Sequence, residues 1–267
     1  MALPPTEADP SDPIRILDVA GDDYRRVFEL FLAGSNEKAV THAHLSALVE
    51  QLPRRSVFLD IGAGSGTTTR HVGNYFEHTI AIEPGSYMRD ALRRACPDAR
   101  VLPDPVETAD PGTLADFALC SHMLYYLPQS QWLPTVRRFL GWVRPGGELV
   151  LALQNPNNEC MRLVRHFFGI RFDLAATANA LRAGHEDLVE SCTVETLPVR
   201  FHADNLADTL TVAEFMANVP NLAELESRPT HEDLERYVLT HFADPDGAGF
   251  SIGHDHDIVR IRRSSRP

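Results

Sequence analysis

Residues 57–66 read Val57-Phe58-Leu59-Asp60-Ile61-Gly62-Ala63-Gly64-Ser65-Gly66. An apolar run stops at three alternate glycines, and Thr67 to Tyr75 then carries helical spacing. A short apolar run bounded by glycine, with a helical pattern behind it, predicts a buried strand, a glycine turn and a helix start. Glycine lets backbone N–H groups approach a ligand closely, and a helix N-terminus favours a negative group. The stretch therefore predicts a small-molecule cofactor site.

Around this stretch, strands are predicted at 56–61, 78–83, 100–103, 115–121 and 147–153, and helices at 66–75, 86–96 and 129–143. This alternation implies βαβ units and a parallel sheet with helices on both faces. Right-handed crossovers put the loops after the strands on one edge. Upstream, 22–33 and 36–51 have helical spacing, broken by Gly34-Ser35, where Ser35 suits a cap. Downstream, helices are expected at 157–168, 173–182, 206–218 and 231–242, and strands at 195–202 and 250–261. The expected fold class is α/β, doubly wound and mostly parallel. Residues 1–20 read as a flexible tail and 21–267 as one domain: N-terminal helices to 54, a cofactor half over 55–155, and late helical insertions forming a lid over 156–267.

The chain has 267 residues, 43% hydrophobic and 23% charged, which suits a packed globular core. Its formal net charge of −12 repels phosphate backbones, so nucleic acid is not an expected partner. Cys96, Cys120, Cys160 and Cys192 are scattered without a C-x-x-C pair, which points to reduced thiols and a cytoplasmic setting. No apolar stretch reaches membrane-spanning length, and Met1 to Pro13 lacks an apolar signal core.

A dinucleotide fold wants G-x-G-x-x-G. Here the spacing is G-x-G-x-G, with Thr67 where the dinucleotide glycine belongs. With Asp60 ahead of it, the turn resembles motif I of class I S-adenosylmethionine-dependent methyltransferases, whose fold is a Rossmann-like seven-stranded sheet. Glu83, closing Thr79-Ile80-Ala81-Ile82-Glu83, matches the family's ribose-binding acid, with Pro84 next to it. Asp104 and Glu107 follow the third strand, where the family contacts adenine. Ala115 to Ser121 resembles the strand that runs under the methionine part of the cofactor, so Ser121 joins the cofactor set. Val143-Arg144-Pro145-Gly146-Gly147-Glu148-Leu149 resembles the family's L-x-P-G-G-x-L, read as a tight turn that ends a helix.

Several stretches are similar to one branch, histamine N-methyltransferase. Tyr24 to Leu32 followed by Ser35-Asn36-Glu37 resembles its lead segment, Glu83-Pro84-Gly85 its E-P-S, and His122-Met123-Leu124-Tyr125-Tyr126 its Q-M-L-Y-Y. The resemblance implies that Glu37 pairs with a substrate amino group. It puts His122 in place of a pocket glutamine and Met88 in place of a cofactor-contacting one. It implies substrate contacts at Tyr24, Phe28, Phe31, Tyr125 and Tyr126, and near His254 or His256. Each residue also has a plainer reading. The rings of Tyr24, Phe28 and Phe31 have the spacing of core packing, and Glu37 suits the first turn of a helix. On a strand His254 and His256 would share a face; two ligands do not make a metal site, and none is expected.

The implied activity is N-methylation of an amine, imidazole or guanidine on a small, cationic histamine-, histidine- or arginine-like molecule, with His122 as proton acceptor or orienting group. O-methylation in natural-product tailoring, or cofactor binding without catalysis, are the alternatives.

Overall fold

The computed structural model describes residues 9–18, 21–184, 187–218 and 228–265. By their internal contacts these fall into two compact units. A sheet unit comprises 38–155, 172–198 and 255–267; a helical unit comprises 1–37, 156–171 and 199–254. The chain leaves the sheet unit and returns to it twice.

The sheet unit contains β1 (Val57–Ile61), β2 (His78–Ile82), β3 (Arg100–Leu102), β4 (Ala115–Ser121), β5 (Val143–Gln154) and β6 (Val189–Leu197). After β7 (Arg200–Ala203) and β8 (Phe250–Gly253), which belong to the helical unit, it closes with β9 (His256–Arg263). The seven strands run in the order β3-β2-β1-β4-β5-β9-β6. The first five are parallel, and β9 pairs antiparallel with both β5 and β6. All five residues of the central strand β1 are buried, as a two-sided parallel strand requires.

In chain order the helices are α1 (Asp22–Gly34), α2 (Glu37–Glu50), α3 (Thr67–Gly73), α4 (Ser86–Ala95) and α5 (Trp132–Gly141). They continue with α6 (Glu159–Phe168), α7 (Leu174–Gly184), α8 (Leu206–Ala217) and α9 (His231–His241). In the sheet unit, Leu45, Leu48 and Val49 of α2 and Val72 of α3 join Phe58, Phe117, Leu119, Val150 and Ile258 of the strands in one core cluster. Trp132, Val136, Phe139 and Leu140 of α5 are buried at positions i, i+4, i+7 and i+8, one face of an amphipathic helix.

The structure departs from the sequence reading at several boundaries. The strand expected over 195–202 is divided between the end of β6 and β7, which lie in different sheets. Pro145-Gly146-Gly147 does not end a helix: α5 is over at Gly141, and the three residues lie inside β5. They form an irregularity in which pairing jumps from Ala115–Val143 to Phe117–Glu148. A proline cannot donate to a ladder, and a bulge is where a strand admits one. The strand expected over 250–261 is two strands, broken at His254-Asp255, so His254 and His256 do not share a strand face.

In the helical unit α8 packs on α1, α6 and α9, and β7 pairs antiparallel with β8. Residues 9–18 belong to this unit and are not a loose tail. Ile14 is fully buried and its N–H donates to Pro229 O at 3.0 Å. The buried Glu214 accepts from the Arg15 backbone N–H (2.6 Å) and from its guanidinium Nε (3.0 Å). Proline and acidic content suggested solvation; one buried isoleucine, worth about 1.5–3 kcal/mol, and a buried carboxylate partner outweigh it. Residues 1–8 and 19–20, the rest of the expected tail, lie outside the described residues. Among the described residues no helix is long and apolar enough to cross a membrane.

Candidate active site

The glycine turn leaves β1 and is laced to the end of β2: the N–H groups of Gly62 and Ala63 both donate to Ile82 O, at 2.9 and 3.1 Å. Gly62, Gly64 and Gly66 all have positive φ, at 77°, 56° and 87°. The three are required for different reasons. A Cβ on Gly62 would meet Met123 Cγ at 2.9 Å, and one on Gly66 would meet Leu92 Cδ1 at 2.8 Å. A Cβ on Gly64 would meet nothing within 4 Å. Packing explains the first and last glycines; the middle one borders open space, as a cradle for a ligand must.

Glu83 is buried beside it. Its Oε2 accepts from Gly64 N and its Oε1 from Gly85 N, both at 2.8 Å. Each carboxylate oxygen has two acceptor positions, so one on each is left for the two hydroxyls of a ribose. The residues therefore fit an adenosyl group: an open glycine, and an acid already fixed in orientation. Arg89 of α4 ties the following Pro84 in place by donating to its carbonyl at 2.6 Å.

Asp60 lies in the middle of buried β1, and its Oδ2 accepts the Thr69 hydroxyl at 2.7 Å. Burial pushes its carboxyl up to about 6, against the opposing pull of that hydrogen bond and of Lys38. The other expected cofactor residues stand as follows. Met88 is half-buried in the first turn of α4, its Cβ close to Gly85. Asp104 and Glu107 are exposed in the loop after β3, where the Glu107 carbonyl accepts from Arg138 of α5. Ser121 is the half-buried last residue of β4.

His122 follows directly. Its N–H donates to Ala152 O at 2.9 Å, and it is the one non-glycine residue with positive φ, 53°, among those described. Left-handed backbone is costly outside glycine and clusters at functional sites. The next residue, Met123, is the one whose side chain packs on Gly62, so His122 adjoins the glycine turn. Its Nε2 lies 3.3 Å from Nδ1 of the buried His256. Tyr125 and Tyr126 form a short 3-10 turn. The Tyr125 ring is 6.4 Å from that of His122 and 6.0 Å from that of Phe172, while Tyr126 is exposed.

In the helical unit Tyr24, Phe28 and Phe31 line one side of α1 and all three contact Phe215 of α8, at ring distances of 5.4, 6.0 and 5.6 Å. Phe31 also meets Phe201 and His254. His254 is fully buried there, its Nε2 3.0 Å from Ser35 Oγ. The Ser35 hydroxyl in turn accepts the N–H of Glu37, which is buried at the head of α2. The structure thus brings Tyr24, Phe28, Phe31 and His254 into one aromatic cluster, and His122 beside the cofactor turn.

Sequence reasoning misses Phe215 and offers His256 only as an alternative to His254. Phe215 carries no local signal beyond its place on an apolar helix. His256 meets His122 only through the register of β9, which sequence does not reveal.

The chain matches the family described as "Methyltransferase domain" over residues 35–211. It is 29% identical over 161 residues to a fibrillarin-like rRNA/tRNA 2'-O-methyltransferase of Methanoculleus marisnigri, covering 60% of this chain and 74% of that one. Among solved structures it is similar to the YcgJ protein of Bacillus subtilis, with TM-score 0.59 and 14% identity over 85% of this chain and all of that one. It is also similar to the N-methyltransferase NodS of Bradyrhizobium japonicum WM9 in complex with S-adenosyl-L-homocysteine. That match has TM-score 0.54 and 12% identity, and covers 91% of this chain and 99% of that one. With the seven-stranded sheet, the open glycine turn and the fixed acid after β2 on one side and the family match on the other, the chain belongs to the methyltransferase domain family and is an S-adenosylmethionine-dependent methyltransferase.

Proposed function

We propose that this enzyme methylates a nitrogen of a small cationic molecule, an amine, imidazole or guanidine of the histamine, histidine or arginine kind. The observation that carries the reading is His122, an ionisable ring held in left-handed backbone next to the glycine turn. Bound S-adenosylmethionine supplies an electrophilic methyl carbon. The chain's own residues then have two tasks, to orient the acceptor and to handle its proton. A protonated amine has no lone pair to offer, so a base is what the acceptor needs. His122 is that base.

Glu37 holds the cationic end of the substrate. The likeness of 24–37 to the lead segment of the histamine N-methyltransferase branch supports this. By the same likeness Tyr24, Phe28 and Phe31 in the helical unit, and Tyr125 and Tyr126 in the sheet unit, are each assigned to substrate contact, aromatic rings being suited to a cation, and His254 holds Ser35. The net charge of −12 favours a cationic partner over a nucleic acid.

The test is transfer of labelled methyl from the cofactor to a panel of imidazoles, amines, guanidines, phenols, carboxylates and rRNA or tRNA fragments. Transfer to nitrogen is expected. Transfer confined to phenols, carboxylates or RNA hydroxyls overturns the reading, with His122 then serving a hydroxyl. A Glu37→Gln variant should raise KM for the cationic substrate at least about tenfold; an unchanged KM removes Glu37 from its role.

A further inference from the structure

His122 and His256 are a bonded pair within the sheet unit. His122 Nε2 and His256 Nδ1 are 3.3 Å apart, with ring centroids 4.3 Å apart and planes at 67°. Two imidazole nitrogens at that distance are stable only with one hydrogen between them, since two lone pairs or two N–H groups would repel. The members of the pair are held very differently. His256 is the first residue of β9, opposite Gln154 of β5 and Leu197 of β6. The neighbouring Asp257 accepts from Asn155 Nδ2 at 2.7 Å and Thr196 Oγ1 at 2.8 Å, which pins that end of the strand. His122 sits past the end of β4 in a strained conformation. A fixed, buried ring therefore faces a strained ring that adjoins the cofactor turn.

We propose that His256 is a positioning residue for His122. Its Nδ1 accepts the hydrogen of His122 Nε2–H, which holds His122 in one tautomer with its lone pair on Nδ1. The inference rests on the proton-acceptor reading of His122 and deepens it. The step it serves is a proton transfer. An N–H bond of the protonated acceptor breaks, its electron pair stays on the acceptor nitrogen as the lone pair that methylation needs, and the proton forms a bond to His122 Nδ1. The imidazolium so formed keeps Nε2–H pointed at a neutral His256, now as a charge-assisted hydrogen bond, and the proton passes to water after turnover. Like-charge repulsion limits the pair to one extra proton.

The test uses the full chain labelled with 15N and reads the imidazole nitrogens by NMR, alongside turnover. In the wild type, neutral His122 should show hydrogen on Nε2 only. His256→Leu should release it to a mixture of tautomers and lower kcat about 10–100-fold, with KM for the cofactor within about twofold. His256→Asn sets a side-chain oxygen close to where Nδ1 stands, so it should keep the tautomer and recover kcat to within about fivefold of the wild type. Hydrogen found on His122 Nδ1 in the wild type overturns the proposal, as does equal kcat in the Leu and Asn variants. A chelator-sensitive metal on the pair overturns it too. The NMR arm needs no substrate: transfer to oxygen alone would sink the nitrogen reading while a fixed tautomer, lost in His256→Leu, would still uphold the pairing.

Discussion

Glu83 Oε2 accepts the backbone N–H of Gly64 at 2.8 Å, across the mouth of the turn between β1 and α3. The same carboxylate accepts Gly85 N at 2.8 Å through its other oxygen. The acid expected to bind the ribose is thus also the brace that sets the shape of the turn. Glu83→Gln keeps one acceptor oxygen and turns an NH₂ toward a backbone N–H. Binding of S-adenosylhomocysteine, measured by calorimetry, should weaken on the order of 10–100-fold, or roughly 1.4–2.8 kcal/mol. Unchanged affinity would show that Glu83 only braces the loop.

Gly64 and Gly66 should fail in different ways when replaced by alanine. Alanine at 64 meets open space, so the fold loses only the cost of left-handed backbone, about 1–2 kcal/mol, while cofactor affinity drops at least about tenfold. Alanine at 66 puts its Cβ 2.8 Å from Leu92 Cδ1 and 3.2 Å from Leu92 Cα, so an overpacking cost of about 1–3 kcal/mol adds to the backbone strain. Urea melts without cofactor, paired with binding isotherms, separate the two. Equal loss of stability in both variants would contradict the assignment of Gly64 to the ligand.

Among the bonds that hold the segment around Ile14, those to Glu214 are made to a buried carboxylate. Glu214 takes the Arg15 backbone N–H as well as its guanidinium, and the bonded carboxylate holds the Arg15 pKa above its ordinary value. Glu214→Ala strands that N–H, and should cost about 1–3 kcal/mol. It should also open the Arg15 peptide bond to trypsin under conditions where the wild type resists. A protection pattern identical to the wild type would mean that Ile14 and the bonds to Asn218 and Pro229 hold the segment without Glu214.

What was legible in the sequence was whatever is local. The β1 run and its glycines, the acid closing β2, and the alternation up to Gln154 each sit within a few residues of the feature they define. Three things were not local. Ile14 is hydrogen-bonded through its backbone to Arg228 and Pro229, far along the chain, which composition cannot report, so its acidic, proline-rich surroundings read as a tail. Pro145-Gly146-Gly147 has the chemistry of a turn, and only its pairing with β4 makes it a bulge. The contact of His122 with His256 spans 134 positions and is fixed by the antiparallel register of β9 on β5. The spacing of Tyr24, Phe28 and Phe31 is local, but their partner Phe215 lies on a helix whose order in the chain gives no hint of the meeting.

Asp60 makes stability depend on pH in a direction opposite to that of most structural carboxylates. Burial raises its pKa from the ordinary 3.8 to about 6, with the charge of Glu83 adding to the rise and the Thr69 hydrogen bond and Lys38 opposing it. Between these two values the folded chain holds a proton that the unfolded chain has released. The stabilisation is therefore complete below about pH 3.8, drains away as pH rises through about 6, and is absent above. A shift of about two units corresponds to a swing on the order of 3 kcal/mol. Asp60→Asn is isosteric, neutral throughout, and keeps an oxygen for the Thr69 hydroxyl. Relative to the wild type, the Asn variant should gain stability steadily from pH 4 to pH 7, measured by urea melts of the cofactor-free protein, and the gain should level off above pH 7. A difference between the two proteins that stays constant over this range would mean that Asp60 titrates as an exposed acid does, and that the buried strand β1 carries no ionisable strain.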